Sequence, residues 1–222
     1  MKFITKNSAH STLLIGYKEE YMEQTVNTKF LGLQIDNHIN WKSHTEEIIP
    51  KLSEAYYAVR SMVQISNINT LKSIHYAYFP SLINYGIIFW DNSSNIGKIF
   101  TLQKEIIRIM AGAQLRTLCR SLFQQLEILP IPCQYILSLM SFIINNQEIL
   151  QTNTSIHNIN TRNKHHLHRL NVNLSCLQKS TFYAGIKIFN SLPPSGTILQ
   201  NDKVKFQTAL RKYLHTHTPL TV

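Results

Sequence analysis

The chain has 222 residues, 44% of them hydrophobic, which is enough for a substantial core in one large domain or two small ones and excludes a disordered tail. Only 15% of residues are charged, against about 25% in an average soluble domain, so its polarity is mostly uncharged. The 22 Lys and Arg outnumber the 12 Asp and Glu, giving a formal charge of +10 that predicts a polyanionic partner, nucleic acid first, with a merely basic soluble surface as the alternative.

In chain order, short apolar patches such as Thr12 to Gly16 and Thr25 to Asn27 predict short strands joined by a turn. Phe30-Leu31-Gly32-Leu33-Gln34-Ile35 continues with β-type composition and ends at Asp36-Asn37, a pair suited to a turn, so a β-hairpin is expected over Thr25 to Asn40. From Ser43 the period changes. Ile48, Leu52, Ala55, Tyr56, Val59, Met62 and Val63 mark an amphipathic helix, with a Ser43/Glu46 capping-box pattern and a Pro50 that implies a kink or a later start.

Asn69 or Thr70 can cap a second helix carrying Leu71, Ile74, Ala77 and Tyr78, and an apolar run from Leu82 to Trp90 follows. After the loop Asp91 to Asn95, a third helix carries Ile99, Leu102, Ile106, Ile109 and Met110 and ends at Gly112. Leu118 to Leu126 predicts a short helix stopped by Leu129-Pro130-Ile131-Pro132, and Tyr135 to Leu150 a buried one. Gln151 to Ser180, rich in Asn, Thr and His, predicts a long loop or arm. Phe182 to Phe189 and Val204 to Leu214 are the last helices, the final one basic.

Cys119, Cys133 and Cys176 are odd in number, far apart and outside any CxxC, which suits a reducing intracellular compartment, cytoplasm or nucleus, without disulfides. The apolar stretches Ile83 to Trp90 and Tyr135 to Ile144 fall short of the ~20 residues of a bilayer span, so no membrane contact is expected.

Lys29-Phe30-Leu31-Gly32-Leu33-Gln34-Ile35-Asp36 followed by Trp41-Lys42-Ser43-His44 resembles the segment directly after the catalytic YxDD turn in reverse transcriptases of non-LTR retrotransposons, jockey-like insect elements above all. Leu102-Gln103-Lys104 with Arg108 and Gly112 is similar to a helix behind the thumb of that family. Thr161-Arg162 and Phe182 to Pro193 resemble patterns near the end of such reading frames, with Phe189 where the family often has Trp. The resemblance spans about residues 25 to 215. It implies a hairpin at the base of the palm that grips the primer strand, then a passage into the thumb at Trp41.

On the residues alone, a Gly between large apolar neighbours allows close backbone approach to a strand of nucleic acid, and Lys29 and Lys42 can pair with phosphates. Phe30, Leu31 and Leu33 fit the core of an ordinary hairpin equally well. Arg60, Lys72, Lys104 and Arg108 lie on the expected thumb helices, where a basic face can follow a template-primer duplex or simply be solvated. Tyr56, Tyr57, Tyr76, Tyr78 and Tyr85 are expected in the core, though an exposed one could stack on a sugar or base.

Templated polymerisation needs carboxylates converging on two metal ions. The sequence has three aspartates, Asp36, Asp91 and Asp202, none beside another acid, and no YxDD. Asp36 suits a turn. The resemblance therefore implies a fragment of an RNA-directed DNA polymerase that keeps template-primer elements without the catalytic centre, and is no enzyme by itself. No cofactor is expected, since Mg2+ would serve only that absent centre. His157, His165, His166, His168 and Cys176 could offer zinc ligands, but their spacing matches no standard finger. Beside Arg162, Lys164 and Arg169 they suit a basic arm near phosphate.

The sequence thus predicts a mainly α chain with a small N-terminal β part, an α+β class. Residues 1–40 would be a palm remnant, 41–113 a thumb-like helical domain and 114–222 a helical extension with a His/Asn-rich loop at 151–180. Expected partners are RNA template, RNA/DNA primer-template and the missing upstream polymerase region. The runner-up is a non-enzymatic basic helical module binding RNA or protein.

Overall fold

A computed structural model describes residues 3, 16–17, 20–21, 25–157, 163–193 and 202–217. Its architecture is mainly helical with a small β part at the N-terminus, as the sequence predicts. Strands β1 (Gly16–Tyr17) and β2 (Glu20–Tyr21) form one small hairpin, and β3 (Asn27–Phe30) pairs antiparallel with β4 (Leu33–Asp36) in another, in the register Phe30 to Leu33 and Asn27 to Asp36. The patch from Thr12 to Ile15 lies outside the described residues.

The second hairpin occupies the expected stretch, but the chain reverses at Leu31-Gly32. Both residues have positive φ, 47° and 80°, as a two-residue type I′ turn requires. Gly32 is therefore a turn residue and not a strand interior. Asp36 does a different job from closing the hairpin. Its buried carboxylate accepts the backbone N–H of His38 (3.0 Å), Asn40 (3.1 Å) and Trp41 (2.8 Å), folding the chain from β4 into the first helix.

Helix α1 (Lys42–Met62) begins before Ser43 and passes through Pro50, so no later start is needed. The Ser43/Glu46 capping box does not form, because the N-cap is Trp41 in a left-handed conformation and Asp36 already holds its N–H. Helix α2 (Ile68–Ile83) is capped by Asn67, whose side chain accepts from the Thr70 N–H, two or three residues earlier than the sequence suggested. A left-handed Gly86 then opens the single turn α3 (Ile87–Trp90), followed by α4 (Ile96–Met110) and α5 (Cys119–Leu126).

The helix expected from Tyr135 instead starts at Ile131. Pro132 sits in the first turn of α6 (Ile131–Asn145), where a missing N–H costs nothing. The His/Asn-rich stretch is not wholly loop, since it contains α7 (Asn153–His157) and α8 (Ser175–Gln178). The chain ends with α9 (Thr181–Phe189) and α10 (Lys203–Thr216).

Two cores result. The first packs α1, α2, α3, α4 and α5 around Leu52, Val59, Phe79, Ile83, Trp90, Ile99, Ile106 and Phe123. The second packs α6, α9 and α10 around Leu139, Met140, Ile143, Ile186, Phe189, Phe206 and Leu210. Ile88 and Tyr135 lie against both. The buried Gln103 side chain joins the cores: its amide donates to the Leu129 carbonyl (3.0 Å) and its oxygen accepts the Ile131 N–H (2.9 Å). Such a pair satisfies two backbone groups that burial would otherwise leave unpaired. At the N-terminal end of α1, Thr45, Ser93 and Asn95 form a second buried polar link, to the start of α4. Among the described residues no single helix is long and apolar enough to cross a membrane.

Candidate nucleic-acid interface

The β3–β4 hairpin leans on the C-terminal end of α2. The Tyr85 hydroxyl donates to the Leu31 carbonyl, and Gly32 presents its Cα to the Tyr85 ring, where an added Cβ would lie 3.4 Å from Cε1. Below it, Leu33 fills the space beside Gly86, where a Cβ would meet Leu33 Cδ2 at 2.8 Å. These two glycines let the hairpin sit against the helices. The close approach at Gly32 is thus to Tyr85 within the chain.

Between the hairpin, α1 and the end of α2 lies a groove of about 210 Å³. It is lined by Lys29 and Gly32 of the hairpin, by His44, Glu47, Ile48 and Lys51 of α1, and by Ser81, Leu82 and Tyr85. Helical geometry explains the α1 contribution, since positions 44, 47, 48 and 51 share one face. Phe30 and Leu31 stand beside the groove at the hairpin tip, 60% and 72% exposed. An aromatic and an aliphatic side chain left in solvent next to two lysines form an amphipathic edge that is absent from an ordinary hairpin core.

His44 is 5% exposed, its ring edge-on to both Trp41 and Trp90. Its Nδ1 accepts the Gln34 N–H at 3.3 Å, so the neutral ring carries its proton on Nε2, which has no partner among the described residues. A buried donor left so costs about 1–3 kcal/mol. Burial lowers the His44 pKa, Glu47 raises it and Lys51 lowers it again, and the net displacement is downward.

The other residues singled out from the sequence are dispersed. Trp41 is half-buried and stacks on Phe89, so it braces the start of α1. Lys42 pairs loosely with Glu46 at 3.9 Å in solvent. Arg60, on another face of α1, donates to the Tyr56 hydroxyl, and Lys72 on α2 lies 3.9 Å from Glu127. Lys104 sits over the Phe100 ring, and Arg108 spends its Nε–H on the Thr117 carbonyl, holding the turn after α4. Among the described residues singled out from the sequence as binding residues, Lys29 and Gly32 alone line the groove.

The tyrosine expectation needs correction. Tyr57, Tyr76 and Tyr78 are exposed, since α1 and α2 bury their Leu, Ile and Phe positions and turn these rings outward, and Tyr85 is exposed in the turn after α2. His44, Lys51 and Tyr85 escaped sequence reasoning. The first two were legible as one helical face once α1 was assigned, whereas Tyr85 needed the tertiary fold.

Among the zinc candidates, the His157 and His168 rings pack edge-on at 5.2 Å, and the Cys176 side chain and Arg162 lie outside the described residues. Among the described residues no group of three or more His, Cys, Asp or Glu converges as metal ligands would. Cys119 and Cys133 are free thiols. A larger cleft, about 580 Å³, lies between α6 and α10, but Arg211 is its single basic residue. Comparison with protein-family models, with curated proteins and with solved structures finds no match for this chain.

Proposed function

We propose that the chain grips nucleic acid as the downstream, non-catalytic portion of a retrotransposon reverse transcriptase, with the β3–β4 hairpin and the groove beneath it as the contact surface. The observation that supports this reading is the hairpin tip. It holds the Lys29-Phe30-Leu31-Gly32 stretch that resembles the family's primer-gripping hairpin, and it carries Phe30 and Leu31 in solvent beside Lys29 and Lys51. Lysines attract phosphates, and an exposed aromatic ring can lie against a sugar or base. Catalysis would need the upstream region, whose carboxylates this sequence does not supply.

Fluorescence anisotropy with a labelled RNA/DNA primer-template and with single strands tests it. Binding should fall steeply between about 50 and 200 mM salt, as phosphate contacts require. Lys29→Ala and Phe30→Ala should each weaken it. Salt-insensitive binding to proteins, with none to nucleic acid, would favour a helical protein-interaction module instead.

A further inference from the structure

We propose that the loop between α4 and α5 is a wedge for double-helical nucleic acid, in which Leu115 and Leu118 enter a base step while Arg116 and Arg120 hold the flanking phosphates. The proposal rests on the nucleic-acid reading above but uses a different surface, since no residue of this loop lines the groove beneath the hairpin.

Leu115 is 82% exposed and Leu118 83%, more than any other large hydrophobic side chain among the described residues. The loop that carries them is nevertheless braced. Gly112, left-handed at φ 62°, follows the end of α4, and the Ala113 N–H donates back to the Arg108 carbonyl at 2.9 Å. A β-turn comes next, closed by the Thr117 N–H on the Gln114 carbonyl at 3.0 Å, with Leu115 and Arg116 as its central residues. The Arg108 Nε–H holds the Thr117 carbonyl at 3.1 Å, and the buried Cys119 thiol lies 3.8 Å from that oxygen and from the Lys104 carbonyl. A slack loop would fold its leucines back onto the protein. This one keeps them in solvent, leaving their burial to a partner.

Charge says which partner. Residues 104–120 carry Lys104, Arg108, Arg116 and Arg120 against Glu105 alone. Lys104 lies over the Phe100 ring and Arg108 is spent on the loop itself, whereas Arg116 and Arg120 are exposed. Among the described residues no carboxylate lies within ion-pair distance of either. Two free guanidinium groups beside two bare leucines complement a polyanion with an apolar interior, which is what a stacked duplex offers. Arg116 also stands between the leucines in the chain. Sinking them into a bilayer would draw its guanidinium toward the acyl chains, but on a duplex that group meets phosphate beside the inserted side chains.

The test mixes the full chain with RNA/DNA duplexes carrying 2-aminopurine, whose fluorescence rises when the base unstacks, at a different step in each sample. The parent should raise the signal at one or a few steps. Leu115→Ala combined with Leu118→Ala, at two exposed positions, should leave folding unchanged by circular dichroism and lower the rise about tenfold. Ile65→Ala, a 78% exposed isoleucine in the turn after α1, should leave the rise intact. Arg116→Ala should weaken binding and reduce the salt slope by about one.

Duplex binding without unstacking at any step, or a double variant no different from Ile65→Ala, overturns the wedge and leaves the nucleic-acid reading standing. Unstacking that survives Lys29→Ala and Phe30→Ala but is lost with the leucines upholds the wedge and takes the grip away from the hairpin. No duplex binding at low salt overturns both. Leucine-dependent binding to phosphatidylserine vesicles, or leucine-dependent self-association, with duplex behaviour unaffected by the double variant, assigns the loop to that occupant and overturns the wedge.

Discussion

The hydroxyl of Tyr85 donates to the backbone carbonyl of Leu31, tying the tip of a hairpin to the end of a helix 54 residues further along the chain. A two-stranded hairpin alone is marginal in water, so this bond, with Leu33 seated beside Gly86, supplies much of its anchoring. Tyr85→Phe keeps the ring against Gly32 and removes only the donor. Global stability should drop by about 1 kcal/mol, while amide exchange at Lys29 to Gln34 should accelerate much more. Equal changes everywhere would show that the bond does not hold the tip in particular.

Leu31 sits in a left-handed conformation that costs a leucine about 1–2 kcal/mol and that Asn or Gly adopts readily. Leu31→Asn should therefore stabilise the protein, by roughly 1 kcal/mol in urea melts, while weakening nucleic-acid binding severalfold through loss of the exposed side chain. A variant gaining both stability and affinity would remove Leu31 from the interface. Gly86→Ala should act in the opposite sense, destabilising by a few kcal/mol, since φ is 68° and the new methyl would strike Leu33.

His75 is 1% exposed in α2, stacked on Phe79, and neither ring nitrogen has a partner among the described residues. Burial pushes its pKa from 6.5 down to about 4. A base whose folded pKa is depressed is protonated first in the unfolded chain, so stability falls as pH drops below 6.5 and the loss levels off below about 4. That loss is of order 3 kcal/mol. His75→Leu should flatten this acid limb in denaturant melts and add about 1 kcal/mol at pH 7 by removing unpaired polar atoms. An unchanged acid limb would assign it to another group.

Asp91 gives a slope of opposite sign. Burial raises its pKa from 3.8 to about 7, and its charge in turn helps to push Tyr135, already displaced by burial, to about 12. The folded chain holds the Asp91 proton after the unfolded chain has released it, so stability declines as pH rises from about 4 to about 7. Asp91→Asn should melt higher than the parent at pH 8 and nearly level with it at pH 4. A difference independent of pH would rule out the titration.

Periodicity carried the helices, because α1, α4, α9 and α10 bury residues at three- and four-residue steps that the sequence displays openly. Termini were harder. Ser43 and Glu46 satisfy a capping pattern, yet Asp36 had already folded back onto Trp41, a long-range choice that local chemistry cannot announce. Leu31-Gly32 lacks the Asn-Gly signature of a type I′ turn, so the reversal was hidden in what looked like one strand. At the site, Lys29 and Gly32 were legible because a motif carried them. His44 stood at the end of the Trp41 motif without a role of its own, Lys51 was visible only as spacing, and Tyr85 took its place through tertiary packing alone.

Gln103 has a consequence for how the chain comes apart. Its one side chain holds the Leu129 carbonyl and the Ile131 N–H, so the start of α6, on which the second core is built, is set by a residue of α4 in the first. Loosening either half strands a buried amide in the other, and the two cores should melt as one cooperative unit. Cutting the chain between α4 and α6 would then yield two fragments, each missing the partner that tells its neighbour where to begin.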